Sequence, residues 1–345
     1  MVSAAELASV LLREGVAPAC APGWARASDG ARGTGGASEV FFDLASLTKP
    51  MTALAVARSG LDRHAPLGAL VEEARGTPSE NVPLELFLAH RAGLEAHRPL
   101  YTPLLSGQEV EPGQALKEAA SARRQDAGGE PPVDGFAPLY SDLGYVLAGV
   151  ALARATGAAD AGEAVERLVL APMGLQRIAG TVRGLAARGV SGTFAPTETV
   201  PWRGGPVVGA VHDENAWALT QTGGSGHAGI FGTVDAVLSF GLGVLAGLPS
   251  IDWMIRVRPG GTLRAGFDGK SPPPEPSSAG ERMGAGAFGH LGFTGTSLWI
   301  DPDAGVVVAL LTNRVCPTRD HLAIRGARPR AHDALFDCAT SGQGR

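Results

Sequence analysis

Ser46-Leu47-Thr48-Lys49-Pro50-Met51-Thr52-Ala53-Leu54-Ala55-Val56-Ala57-Arg58 is the stretch on which the reading of this chain turns. Leu47, Met51, Leu54 and Ala55 recur at helical spacing and Gly60 stands just past the end, which predicts a helix from Ser46 to Arg58. Pro50 is compatible with it, because first-turn N–H groups have no intrahelical acceptor to lose. A serine at such an N-terminus sits where amides are unpaired and negative charge is favoured. Lys49, three residues on, shares its face. A hydroxyl is a poor nucleophile without a base, and a crowded lysine of lowered pKa supplies one. The chain has three lysines (Lys49, Lys117, Lys270) and 19 serines, so chance yields roughly 0.2 S-x-x-K matches. On their own, the four residues read first as a helix cap and a solvated lysine.

Outward from this helix, Ser3-Ala4-Ala5-Glu6 forms a capping box that opens a helix to Glu14. Val16 to Phe42 holds short apolar pieces broken by Pro22-Gly23, Asp29-Gly30 and Gly35-Gly36, the pattern of strands joined by turns. From Leu61 to Phe240 helical pieces (84–90, 143–156, 163–170, 233–245) alternate with polar loops, Ser121–Pro138 being the clearest. Ser271-Pro-Pro-Pro-Glu-Pro predicts an extended, mobile loop. Thr296–Ile300 and Val306–Thr312 read as strands joined by Asp301-Pro302-Asp303-Ala304-Gly305, the second apolar enough to be covered on both faces, and His321–Cys338 reads as helix. Strands thus sit near both termini and helices fill the middle. The expected architecture is α/β (α+β): a helix-flanked sheet from 1–60 and 241–345, a mainly helical insertion over 61–240, and a site at their interface.

Composition removes several function classes. The chain has 345 residues, is 44% hydrophobic and 18% charged, and carries a net charge of −5, which fits a globular protein and argues against nucleic acid as partner. No apolar run long enough to span a membrane occurs, and Met1 to Gly15 lacks the pattern of a secretory signal, so no membrane role and a cytoplasmic location are expected. Cys20, Cys316 and Cys338 make neither a disulfide framework nor a zinc ribbon and read as small buried thiols. His90, His97, His212, His227, His321 and His332 lack metal-ligand spacing and read as structural or loop residues, with His227 close to the site. Asp213, Glu214 and Asn215 read as caps and braces. No metal or cofactor is expected. Gly224-x-Gly226-x-x-Gly229 and Gly284-x-Gly286-x-x-Gly289 match a dinucleotide fingerprint, but 49 glycines make such matches uninformative, and the second leads into a strand. Walker loop, HExxH and GxSxG are all missing, the last because His227 follows Gly226.

Leu139-Tyr140-Ser141-Asp142-Leu143-Gly144-Tyr145 runs into an apolar helix, and Gly289-His290-Leu291-Gly292-Phe293-Thr294-Gly295-Thr296 leads into the strand pair. With Ser46–Lys49 these resemble, in order and separation, the three signatures of the serine β-lactamase and penicillin-binding-protein superfamily. The class C-like branch, with its esterases and D-amino-acid peptidases, is the nearest. Phe87–Leu94, Val211–Ala216, Gly226–Phe231 and Leu310–Arg314 resemble the same branch. The resemblance implies a β-lactamase/transpeptidase-like fold with an antiparallel sheet. It implies Ser46 as the acylated nucleophile, Lys49 as the group that takes or relays its proton, and Tyr140 as second acid/base group. It implies an oxyanion hole from the backbone N–H groups of Ser46 and Phe293, with Leu291, Gly292 and Thr294 along the substrate. Read singly, Tyr140 is a core aromatic and His290 a strand-end surface histidine.

Two departures bear on chemistry. Asp142 stands where the family usually has Asn; a carboxylate near Lys49 holds the lysine protonated and shifts the base role toward a Tyr140 phenolate. His290-Leu291-Gly292 stands where Lys-Thr/Ser-Gly grips a carboxylate; Leu291 donates nothing, and histidine is mostly neutral at pH 7. The expected function is a serine hydrolase acting through an acyl-enzyme on small esters or amides, its substrate a small molecule. The alternative is a non-hydrolytic penicillin-binding-like binding or sensor protein on the same fold. Oligomeric state is open. The expected outcome of a substrate comparison is a kcat/KM for p-nitrophenyl esters above that for a cephalosporin; the reverse order would overturn the third-motif argument.

Overall fold

The computed structural model describes residues 2–341. Helices run in chain order as α1 (Ala4–Arg13), α2 (Thr48–Arg58), α3 (Leu67–Leu70), α4 (Leu84–Leu88), α5 (Pro112–Ser121), α6 (Asp142–Thr156), α7 (Ala161–Val165), α8 (Val182–Ala187), α9 (Glu214–Thr220), α10 (Val234–Ala246), α11 (Asp252–Ile255) and α12 (Ile324–Thr340). The strands are β1 (Cys20–Arg26), β2 (Arg32–Thr34), β3 (Phe42–Asp43), β4 (Ala179–Gly180), β5 (Thr199–Val200), β6 (Gly205–Pro206), β7 (Phe231–Gly232), β8 (Asp268–Gly269), β9 (Phe288–Leu291), β10 (Ser297–Asp301) and β11 (Val306–Thr312). The capping box at Ser3 and Glu6 is formed as expected.

Six strands make one antiparallel sheet in the order β2-β1-β11-β10-β9-β8. The pairing of β1 with β11 joins the two ends of the chain: Cys20 faces Thr312 and Arg26 faces Val306. β11 is buried along its whole length because both faces are covered. Val307, Ala309 and Leu311 share a core with α10, while Val306, Val308 and Leu310 share another with α1 and α12. This two-faced burial is what a continuous apolar strand predicts.

α2 is buried on every side from Thr48 to Val56. It packs against α6 and α7, so the helix that follows Ser46 is the axle of the helical part. α10 lies on β1, β10 and β11 and crosses the boundary expected at residue 240. We therefore propose that the helical insertion ends before Thr233 and takes in α2. A small sheet in the order β3-β7-β4 joins Phe42–Asp43 to residues 231–232 and 179–180, and β5-β6 is a local hairpin. The thiols differ from expectation: Cys20 is buried, but Cys316 and Cys338 are only half-buried.

Buried His332 fastens the loop before β9 to α12. Its Nδ1–H donates to the Ser278 carbonyl at 2.6 Å, and its Nε2 lies 2.9 Å from the Ser297 hydroxyl. Burial lowers its pKa from 6.5 to about 4. The unfolded chain therefore binds the proton more readily, and this contribution to stability is full above pH 6.5 and lost as pH falls toward 4. Denaturant titrations should show stability declining over that window, by on the order of 2–3 kcal/mol from this group. The decline should be shallower in His332→Gln; an equal slope would show that His332 does not carry it.

Candidate active site

Ser46 lies in a 3-10 turn, Ala45–Leu47, that runs directly into α2, so it is part of the first turn rather than a cap. The residue before it, Ala45, has φ +48°, a conformation costly for any side chain. Asp43 holds it there: its buried carboxylate accepts the Ala45 N–H at 2.8 Å and the His212 N–H at 2.7 Å. The third-motif turn is fixed to the same segment. Thr294 Oγ1 donates to the Asp43 carbonyl at 2.7 Å and Thr296 Oγ1 to the Leu44 carbonyl at 2.9 Å. A Cβ on Gly292 would stand 1.9 Å from Thr296 Oγ1, so the turn closes only with glycine there.

Lys49 is fully buried, and its ammonium finds three acceptors: Ser46 Oγ at 2.9 Å, Asp142 Oδ1 at 2.7 Å and the His227 carbonyl at 3.5 Å. The carbonyl comes close because the glycine loop lies against α6; a Cβ on Gly226 would meet the Tyr145 carbonyl at 2.0 Å. Tyr140 lies 4.7 Å from Lys49 Nζ at its ring centre. Its ring stacks on that of His90 at 4.6 Å. His90 is itself strained, with φ +59°, and its Nδ1 accepts the Ser141 N–H at 3.0 Å. Ser141 caps α6, which makes Asp142 the first residue of that helix.

These groups line one cavity of about 530 Å³ between the β9 edge of the sheet and the starts of α2 and α6. Ser46, Tyr140, Asp142, His290, Leu291, Gly292 and Phe293 all face it. Among the described residues, the Phe293 N–H has no hydrogen-bond partner, so it is free to donate into the cavity. Thr294 corrects the expectation of a substrate contact: it is 1% exposed and its hydroxyl is used by Asp43. Its role is to brace the turn that carries Phe293. His290 is buried rather than a surface residue, and its Nδ1–H donates to the Leu291 carbonyl at 2.8 Å.

Burial pulls the Lys49 pKa down, but the facing Asp142 and Tyr140 more than reverse this, so the group is held above its ordinary value and is an ammonium. Burial pushes the Tyr140 phenol up, and Lys49 offsets this only in part. That corrects the expected resting phenolate: Tyr140 begins as a neutral phenol, able to give a proton. Burial, helped by Lys49, lowers His290 to about 3. It is therefore neutral, and with Nδ1–H already donated, its Nε2 offers only a lone pair, which suits a donor and not an anion.

Sequence reasoning missed the arginines. Arg314, Arg319, Arg325 and Arg328 also line the cavity. Arg319 is paired with Glu198 and Glu214. Arg314 donates to the Phe293 carbonyl and lies over its ring, while the buried Arg328 donates to the Gly292 and Thr296 carbonyls. It also missed His90 and His97 as neighbours of the site; the only cue was their place beside the Phe87–Leu94 stretch. Asp213 and Asn215 brace the region as expected: Asp213 caps α9 and pairs with His227 at 2.8 Å, and Asn215 donates to the Arg98 carbonyl at 2.8 Å.

The family model described as Beta-lactamase matches residues 23–331. No curated protein matches the chain. Among solved structures, the class C beta-lactamase from Rhodobacter sphaeroides is similar at 15% identity and TM-score 0.68, over 96% of this chain and 98% of the other. The hydrolase EstCE1, described as having promiscuous acyltransferase activity, is similar at 20% identity and TM-score 0.68, over 96% of each chain. A D-stereospecific amidohydrolase from Streptomyces sp. is similar at 16% identity and TM-score 0.62, over 89% and 92%. At such identities these structures speak to the fold alone.

The contact between Lys49 and Asp142 makes a measurable demand. In Asp142→Asn the buried ammonium loses its counter-charge, burial dominates, and Lys49 gives up its proton more readily. The acid limb of the pH–rate profile should move relative to wild type. An unmoved limb would show that Asp142 does not govern Lys49.

Proposed function

The chain belongs to the beta-lactamase family, and from that premise we propose that it is a serine hydrolase that forms an acyl-enzyme on Ser46 and cleaves small esters or amides. The observation that carries this reading is the Lys49 ammonium set between Ser46 Oγ at 2.9 Å and Asp142 Oδ1 at 2.7 Å. A serine with only a charged lysine beside it has no base. A serine whose lysine can hand a proton to a carboxylate as it accepts one does.

In the proposed sequence the Ser46 hydroxyl attacks the substrate carbonyl, its proton passes to Lys49, and a Lys49 proton passes to Asp142. The oxyanion that forms is met by the backbone N–H groups of Ser46 and Phe293; loss of one such donor typically costs about 10²–10³ in rate. Tyr140, neutral at rest, gives its proton to the leaving oxygen or nitrogen, and its transient phenolate is balanced by Lys49 at 4.7 Å. Lys49 then reprotonates Tyr140 and recovers its own proton from Asp142, so the serine proton ends on the leaving group. Water attacks the acyl-enzyme with the same groups in reverse.

The third motif supports esters and amides over β-lactams, because neither neutral His290 nor Leu291 donates to a carboxylate next to the scissile bond. Positive charge also lines the cavity, at Arg314, Arg325 and Arg328. An acidic group carried away from the scissile bond is therefore compatible with the cavity.

A fluorophosphonate probe followed by intact mass tests the proposal. The expected result is one adduct on wild type and none on Ser46→Ala, with p-nitrophenyl ester turnover lost in the same variant. A folded wild type that takes no adduct would leave the binding or sensor reading in its place.

A further inference from the structure

The geometry points to His97 as a positioning residue for the nucleophile, one that acts through Asp142; the inference rests on the reading of Ser46 just proposed. The loop that carries His97 is held on both sides of it. Ser141 Oγ donates to the Glu95 carbonyl at 2.6 Å, the Asp142 N–H to the Ala96 carbonyl at 2.9 Å, and Asn215 Nδ2 to the Arg98 carbonyl at 2.8 Å. The same residues that start α6 and α9 thus set the backbone of residues 95–98, and His97 is left presented to the cavity. Its Nδ1 stands 3.9 Å from Asp142 Oδ2, while Oδ1 of the same carboxylate holds Lys49 at 2.7 Å. His97 is 45% exposed, Asp142 22% and Lys49 not at all. Hydrogen bonds therefore link the Ser46 hydroxyl, Lys49 and Asp142, and His97, open to water, stands one step beyond them at 3.9 Å.

One carboxylate serving two cations divides its charge between them. When the imidazole takes a proton from solvent, the imidazolium draws on Oδ2, and Asp142 becomes a weaker acceptor for the proton that Lys49 must pass on. The relay slows. When the imidazole is neutral, the carboxylate charge is left to Lys49. An asparagine at this position would have no charge to divide, so the coupling exists only because the chain carries Asp142. The other charged groups about His97 are engaged elsewhere. Glu95 and Arg98 on its own loop pair with each other, Asp213 with His227 and Glu214 with Arg319 on α9. Across the cavity His290 on β9 is neutral, and Asp268 on β8 shares the same walls.

The test is the rate of fluorophosphonate adduct formation on Ser46 as a function of pH, in wild type, His97→Gln, Asp142→Asn and the double variant. The wild-type rate should fall on the acid side. At the acid end His97→Gln should react about three- to five-fold faster than wild type, the difference narrowing as pH rises. In the Asp142→Asn background the His97 substitution should change nothing further. A His97→Gln profile that overlays wild type, or a His97 effect of equal size in both backgrounds, would overturn the inference while leaving Ser46 as nucleophile. A wild type that does not label overturns the reading of Ser46 and this inference with it. A purely structural role for His97 would shift thermal stability without moving the pH profile.

Discussion

A lysine ammonium with no exposure to water is the constraint to which the rest of this structure answers. Moving a charge out of water costs several kcal/mol unless hydrogen bonds and a counter-charge replace the solvent. Lys49 has all three of its donors met, by a hydroxyl, a carboxylate and a backbone carbonyl from three separate segments. Each of those segments must therefore arrive within about 3 Å of one point, and the fold is arranged so that they do. α2 brings Ser46 and Lys49, the start of α6 brings Asp142, and the glycine loop before β7 lies close enough to α6 to offer its carbonyl.

The backbone carries strain at two of these arrivals. Ala45 beside Ser46 and His90 beneath Tyr140 both occupy the left-handed region, where non-glycine residues cost about 1–3 kcal/mol. Both are held by buried hydrogen bonds, from Asp43 in the first case and with Ser141 in the second. Asp43 and the Thr294 and Thr296 hydroxyls also join the nucleophile turn to the third-motif turn. The spacing between the Ser46 and Phe293 amides is thus set by a small network that never faces the cavity. The geometry of the site here depends on residues with no chemistry of their own.

The cavity carries charge of both signs. The Lys49 ammonium and the Asp142 carboxylate balance each other behind Ser46, and arginines from the segment after β11 and the start of α12 also line the cavity, Arg314 and Arg328 bonded to carbonyls of the third-motif turn. His290, neutral and acceptor-only at its free nitrogen, neither attracts nor neutralises an anion. The positive charge that a Lys-Thr-Gly signature would carry on its lysine is absent from that position. Burial of His290 and the closeness of Lys49 are the physical reasons that it cannot be restored by protonation at ordinary pH.

Much of this was legible in the sequence because it follows from local rules. The capping box of α1, the two-faced strand β11, the helix behind Ser46 and the sheet shared by both termini each follow from side-chain period and turn residues. Ser46 and Lys49 stand out because their spacing is rare in a chain with three lysines, and Tyr140 and Asp142 because their segment resembles the family's second signature. What the sequence could not decide depends on distance between remote segments. That Thr294 is buried and braces the turn, that the Tyr140 phenol is pushed up, and that α10 packs on the sheet are all products of burial. So too are the arginine wall and the approach of His97 to Asp142. Burial and contact across 45 or more residues of chain are tertiary quantities, and no local period of the sequence encodes them.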